Sequence, residues 1–181
     1  MQNELNPLPH VAVLMATYNG EKYLKEQVDS ILAQKNVNIT LFVRDDRSTD
    51  TTRSIIDEYQ RSTGRVFLLD QKPAQLNVTK NFFSIVREID FTGIDFLAYS
   101  DQDDILLENK MDQAITAINQ QKVDCYASNL LRGDANGNII KKASPFSKLF
   151  QYFFNFKSNN QLRWDHYFEA ASAGCTLVLN K

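Results

Sequence analysis

The chain has 181 residues, enough for one ordinary domain with a sizeable buried core. At 43% hydrophobic and 23% charged, it has the composition of a globular protein and not of a disordered tail or a fibre. The formal net charge of −2 argues against a broad basic surface, so nucleic acid is not among the expected partners.

In chain order, Met1–His10 is polar and lacks the apolar core of a signal peptide. No stretch anywhere approaches the ~20 apolar residues that cross a bilayer. The expected location is therefore cytoplasmic, with Cys125 and Cys175 as separate reduced thiols. Val11–Ala16 is a short apolar run, as expected of a strand buried on both faces. Leu24, Val28, Ile31 and Leu32 follow at helical spacing. Ile39–Val43 predicts a second strand, and Ile55, Ile56 and Tyr59 one face of a helix that Ser48, Thr49 or Asp50 is suited to cap. Val66–Leu69 predicts a third strand, with a helical face at Phe82, Phe83, Ile85, Val86 and Ile89. Phe96–Tyr99 predicts a fourth, before a helix carrying Met111, Ile115 and Ile118. Strands alternating with helices at this spacing give an α/β fold with a mainly parallel central sheet flanked by helices.

Beyond residue 123 the alternation weakens. Val123–Leu131 predicts another strand, the turn cluster at Gly133–Asn138 a hairpin returning at Ile139-Ile140, and Thr176–Leu179 a last strand. Phe146, Leu149, Phe150, Phe153 and Phe154 fall at helical spacing. Such a stripe fits a membrane interface, a partner surface or the cover of a further part of the chain. An end just past a strand, at Lys181, reads as a C-terminal truncation of a single domain spanning 1–181.

Ligands of open α/β sheets bind at the carboxyl ends of strands. Three polar clusters fall at such ends: Thr17-Tyr18-Asn19, Asp45-Asp46 and Asp101-Gln102-Asp103-Asp104. Five carboxylates converging on one edge repel one another unless a cation lies among them, and hard divalent ions take carboxylate oxygens. Each cluster alone is also an ordinary turn or cap. An EF-hand loop beginning at Asp101 fails, because its sixth and twelfth positions hold Leu106 and Asp112. Neither a P-loop, nor a Gly-x-Gly-x-x-Gly, nor a Gly-x-Ser-x-Gly elbow occurs.

The segments at residues 13–24 (VLMATYNGEKYL), 43–50 (VRDDRSTD) and 99–104 (YSDQDD) together resemble the inverting family-two glycosyltransferases, whose domain is the GT-A fold. The form Asp-Gln-Asp-Asp and residues 174–180 (GCTLVLN) look most like the bacterial rhamnosyltransferase branch. The resemblance implies a nucleotide-sugar-binding part at 10–130 and the start of an acceptor-side part at 131–181. It implies that Ala16, Thr17, Tyr18, Glu21, Asp46, Asp101 and Gln102 bind the donor nucleotide. Tyr18 would stack on the base, and Asp46 would accept from the N3–H of a uracil or thymine. Asp103 would ligate Mn2+ or Mg2+, with Asp104 supporting it. The implied donor is a UDP- or dTDP-sugar, with rhamnose the favoured sugar. The implied acceptor is a polysaccharide or lipid-linked glycan, met in the cytoplasm or at the inner face of the membrane. The family's general base usually follows the Gly-x-Thr strand, so the resemblance places it beyond Lys181. Arg47 stands where the family commonly has glycine, and Lys80 and Asn81 match donor-contacting positions only weakly. A GT-A-like nucleotidyltransferase and a non-catalytic nucleotide-sugar-binding module are the alternative readings.

Overall fold

Residue alternation along the first strand decides the architecture. The computed structural model describes residues 7–72, 77–128, 132–133, 139–141, 152–154 and 177–181. In β1 (His10–Thr17), Val11, Val13 and Met15 join one core cluster while Ala12 and Leu14 join another; all five are fully buried. A strand with apolar side chains on both faces needs cover on both faces, as the sequence predicts. Burying a side chain such as Leu14 or Met15 completely contributes roughly 1.5–3 kcal/mol.

The cover comes from four helices. On one face lie α1 (Leu24–Leu32), α2 (Thr52–Thr63) and α4 (Lys110–Gln121), which contribute Val28, Ile31, Ile56, Met111 and Ile118 to the larger cluster. On the other lies α3 (Val78–Glu88), with Phe82 and Ile85 buried and Phe82 edge-on to Tyr99. Gly64 ends α2 in the left-handed conformation (φ 63°) that glycine adopts without steric cost. The side chain of Asn77 caps α3 by accepting the Lys80 N–H at 2.8 Å.

The remaining strands are β2 (Asn38–Asp45), β3 (Val66–Leu68), β4 (Phe96–Ser100), β5 (Cys125–Ala127), β6 (Arg132–Gly133), β7 (Ile139–Lys141), β8 (Tyr152–Phe154) and β9 (Leu177–Asn180). Six of them, with β1, build one sheet in the order β3-β2-β1-β4-β9-β5-β8, and β6 pairs with β7 in a separate antiparallel pair. Strands β3, β2, β1 and β4 pair in parallel, while β9 and β8 run against their neighbours. The chain steps outward from β1 through β2 to β3, then returns to place β4 on the other side of β1. The topological switch point therefore lies between β1 and β4, where such sheets open a ligand crevice.

Two sequence expectations change here. The strand predicted over Val123–Leu131 is confined, among the described residues, to Cys125–Ala127, because Val123 and Asp124 still belong to the turn that leaves α4. Helical spacing at Phe153 and Phe154 is overridden, since Tyr152–Phe154 pairs with β5 as strand β8 and the open edge of β5 satisfies its backbone. Phe146, Leu149 and Phe150 lie outside the described residues.

One charged side chain interrupts the core. Alternation in β2 turns Arg44 to the same face as Phe42, where it is 1% exposed. Its Nη2 lies 2.7 Å from Glu88 Oε2 at the end of α3, and Lys72 Nζ contacts the same carboxylate oxygen. Lys72, and then Arg44, hold the Glu88 carboxyl below its ordinary value.

Candidate active site at the carboxyl edge of the sheet

Three loops leave adjacent parallel strands on one edge, and their side chains are committed mostly to one another. After β1, the chain turns through Asn19 with φ 47°, a left-handed value that asparagine tolerates. The Asn19 N–H donates to Ser48 Oγ at 2.8 Å, and its side-chain oxygen accepts the Thr49 N–H at 2.9 Å. Gly20 N–H donates to Thr52 Oγ1 at 2.8 Å. The β1–α1 turn and the β2–α2 loop are thereby laced into one surface.

Asp45 ends β2 and Asp46 follows it in the loop, both of them buried. The Asp45 side chain is fully buried. It accepts Thr17 Oγ1 at 3.2 Å, the Ser48 N–H at 3.0 Å and Gln71 Nε2 at 3.4 Å, as well as the Ser48 hydroxyl, with Arg53 Nη1 3.7 Å away. It organises the loop from within. Asp46 follows it, its N–H held by the Thr17 carbonyl at 2.8 Å.

Arg47 adopts φ 66°, the region that glycine occupies freely, so the loop keeps a left-handed turn although its residue is not glycine. Its guanidinium donates to the Lys72 carbonyl at 3.3 Å and closes the loop against the segment after β3.

The third loop follows β4. Ser100 is fully buried and bonded by Gln27, and the chain then exposes Asp103 while Asp101, Gln102 and Asp104 are half-buried. Asp103 and Asp104 form no hydrogen bond or ion pair with another described residue, so their oxygens stand open to solvent. Gln102 reaches across the switch point. Its Oε1 accepts the Tyr18 N–H at 2.9 Å and its Nε2 donates to the Tyr18 carbonyl at 3.1 Å.

Of the residues singled out in the sequence, Tyr18 is 49% exposed. Ala16 is half-buried and Thr17 buried, with the Thr17 hydroxyl spent on Asp45. The Glu21 carboxylate accepts the N–H and hydroxyl of Thr51, at 3.1 and 2.9 Å, and so supports the start of α2 from a neighbouring loop. Asp50, one of the expected caps, accepts the N–H of Thr52 at 3.0 Å, while Thr51 occupies the cap position itself. Desolvation pushes the Asp50 carboxyl up, but hydrogen bonds from Thr52 and the Glu21 N–H outweigh it and hold the group below its ordinary value. Lys80 is exposed, whereas Asn81 is 3% exposed.

The expected convergence of five carboxylates does not form, because Asp45 points inward and is neutralised by its own donors. Among the described residues no three His, Cys, Asp or Glu side chains surround a point that a metal could occupy. Gln71, Arg53 and Thr52 do much of the loop-building and escaped the sequence reading, while Ser48, read there as a helix cap, bonds to Asp45 and Asn19. Only the hydroxyl residues had a signal, their place directly after Asp-Asp, where Ser and Thr close turns onto backbone and carboxylate.

Comparison with known proteins bears directly on this edge. The profile described as "Glycosyl transferase family 2" matches residues 12–177 and takes in all three loops. The chain belongs to glycosyl transferase family 2. It is 35% identical over 170 residues to the dTDP-rhamnosyl transferase RfbG of Shigella flexneri, covering 92% of this chain and 54% of that protein. It is 28% identical over 135 residues to the UDP-Glc:alpha-D-GlcNAc-diphosphoundecaprenol beta-1,3-glucosyltransferase WfgD of Escherichia coli, covering 75% and 51%. The chain thus spans about half the length of these curated relatives. Among solved structures, the mannosyltransferase PcManGT of Pyrobaculum calidifontis, in complex with GDP-Man and Mn2+, superposes with a TM-score of 0.58 at 19% identity, over 70% of this chain and 37% of that one. TarS 1-349 of S. aureus gives 0.56 at 23% identity, over 73% and 38%. The fold is that of the GT-A glycosyltransferases.

Proposed function

We propose that this chain is the donor-binding part of a metal-dependent, inverting glycosyltransferase that uses a nucleoside diphosphate sugar. The observation that carries this reading is the arrival of the exposed Tyr18 ring, Asp46 and the open carboxylates of Asp103 and Asp104 at the ends of three adjacent parallel strands. Tyr18 stacks on the base and Asp46 accepts from its N3–H, which selects uracil or thymine. Similarity to a protein named a dTDP-rhamnosyl transferase makes dTDP-rhamnose the favoured donor. The acceptor is a polysaccharide or lipid-linked glycan, as the diphosphoundecaprenol in the name of another relative suggests. The work then belongs in the cytoplasm, at or near the inner membrane face. No helix among the described residues is long and apolar enough to cross a membrane, which is compatible with peripheral contact.

The donor set suits a hard divalent cation. Asp103 and Asp104 offer carboxylate oxygens without cationic partners among the described residues, and Mg2+ or Mn2+ is commonly held by one or two carboxylates together with substrate phosphates. Asp103 would hold the ion and Asp104 support it, and the ion would neutralise charge on the diphosphate. Transfer with inversion breaks the bond between the anomeric carbon and the diphosphate oxygen while an acceptor hydroxyl oxygen bonds to the opposite face. The hydroxyl proton passes to a carboxylate base. None of the described carboxylates is assigned that role.

The test is calorimetric titration with UDP, dTDP, GDP and CDP, each with and without manganese. The expected result is manganese-strengthened binding of UDP or dTDP, with the increment lost in Asp103→Ala. A folded protein that binds none of the four under either condition overturns the proposal.

A further inference from the structure

At the switch point between β1 and β4, the Gln102 side chain bridges the two loops. Gln102 belongs to the acidic loop, yet its carboxamide is spent on the main chain of Tyr18, with its oxygen on the N–H and its nitrogen on the carbonyl. A primary amide that meets both polar groups of one residue copies the pairing of a neighbouring strand. It extends the β1–β4 ladder past the point where β4 ends, at Ser100.

The surroundings are fitted to this contact. An ideal Cβ placed on Gly20 would lie 2.5 Å from Gln102 Oε1 and 2.9 Å from its Cδ. The φ of Gly20 is not positive, so its lack of a side chain answers to space and not to backbone conformation. Gly20 leaves room for the amide, and the turn holding Gly20 is tied in its own right to Thr52.

We propose that Gln102 is a positioning residue that acts through Tyr18. It carries the acidic loop at a fixed place beside the turn presenting the Tyr18 ring, so that a cation at Asp103 and Asp104 and a base on Tyr18 each favour the other's binding. The proposal deepens the donor-site reading and rests on it for the identity of the ligands. It reassigns Gln102 from direct contact with the nucleotide to the framework behind the contact. Coupling arises because ordering either loop orders the other, and it is reciprocal by thermodynamic necessity.

Two independent variants read the clamp. Gln102→Ala removes the amide. Gly20→Ala displaces it, and because the obstructed atoms are the far end of a flexible side chain, the fold itself is expected to survive. Calorimetry with UDP and dTDP gives the manganese enhancement as the ratio of Kd without the ion to Kd with it. Hydrogen exchange at the Tyr18 amide, with manganese alone as the probe, reads the clamp without a nucleotide. The wild type should show slowed exchange with manganese. Either variant should lose this slowing and lower the enhancement by about fivefold or more. The double variant should match Gln102→Ala alone, since the alanine at 20 then meets no amide.

A Gln102→Ala protein of wild-type Tm with wild-type enhancement and slowing overturns the positioning role. So does a double variant in which the two losses simply add. If the wild type binds no nucleotide but manganese slows exchange at Tyr18 only when Gln102 is present, the donor-site reading fails and the coupling stands. If manganese leaves Tyr18 exchange unchanged in the wild type, the coupling itself is refuted.

Discussion

Replacing Glu88 by Gln is the sharpest test of how the core tolerates Arg44. The guanidinium is 1% exposed, and its anionic partner among the described residues is the Glu88 carboxylate, 2.7 Å from Nη2. Its Nε and Nη1 have no hydrogen-bond partner among the described residues, so the pair balances most of the cost of placing that charge in the core. Removing one member of a buried pair typically costs 3–5 kcal/mol, because the other charge stays buried without compensation. The Glu88 side chain is 31% exposed, so water offsets part of the loss and the lower end, about 3 kcal/mol, is expected. Lys72 shares the carboxylate but is 38% exposed, so Lys72→Ala should cost at most about 1 kcal/mol. Arg44→Met in the Glu88→Gln background should recover most of the stability, since a well-packed apolar replacement has no charge to desolvate. The pH dependence has a definite sign. The Glu88 carboxyl titrates below its ordinary value of 4.5, so the pair contributes fully above that value and loses its contribution as pH falls through the lowered one. The gap between wild type and Glu88→Gln should therefore be widest near neutrality and close in acid. Urea denaturation at a series of pH values measures all of this. A Glu88→Gln protein within about 0.5 kcal/mol of wild type at pH 7, the range of an ordinary surface substitution, would refute the reasoning.

Arg47 and the Asp45-Asp46 pair give two further expectations. Arg47→Gly relieves a left-handed strain but loses the bond to the Lys72 carbonyl and loosens the unfolded chain, so its stability should stay within about 1 kcal/mol of wild type. Arg47→Val should be destabilised by about 1–2 kcal/mol, since a β-branched residue resists that φ; equal thermal midpoints for the two variants would contradict the assigned turn. Asp45→Asn keeps an oxygen for Ser48 N–H and Gln71 Nε2 but turns its amide nitrogen on the Thr17 and Ser48 hydroxyls and removes the charge facing Arg53 in a fully buried site, and should cost about 1–3 kcal/mol in urea denaturation. Asp46→Asn should instead weaken UDP or dTDP binding by about tenfold or more and relax discrimination against CDP, whose N3 accepts and does not donate. A stable Asp45→Asn protein would reverse the division of labour drawn between the two carboxylates.

Much of the sheet was legible because its central strand has no polar face from Val11 to Met15. Val11–Met15 declared a doubly covered strand, and the helical spacing of Leu24, Val28 and Ile31 declared the element covering it. Legibility failed where partners are distant in sequence. Phe153 and Phe154 fall at helical spacing, yet the strand they form answers to the open edge of β5, a backbone that no local pattern discloses. β5 was drawn too long for a related reason, since Val123 is apolar but its N–H returns to Ile118 in the turn that closes α4.

The carboxyl edge shows the same limit on a finer scale. Residue type brought Tyr18, Asp45, Asp46, Gln102 and Asp103 to one edge, because the ends of adjacent parallel strands must meet there. It did not say which of them face the ligand. Asp45 and Asp46 are chemically identical neighbours, both buried, and residue type does not say that Asp45 is the one bonded to Thr17, Ser48 and Gln71. The side-chain atoms of Glu21 and Gln102 are engaged by Thr51 and by Tyr18, contacts that residue type alone does not disclose. A polar side chain at such an edge has two uses, to bind what arrives or to hold the groups that do. The second consumes its hydrogen-bonding atoms in contacts tens of residues apart in sequence, 30 for Glu21 and 84 for Gln102. Among the described residues of this edge, the exposed Tyr18 ring and the carboxylates of Asp103 and Asp104 carry no such commitment.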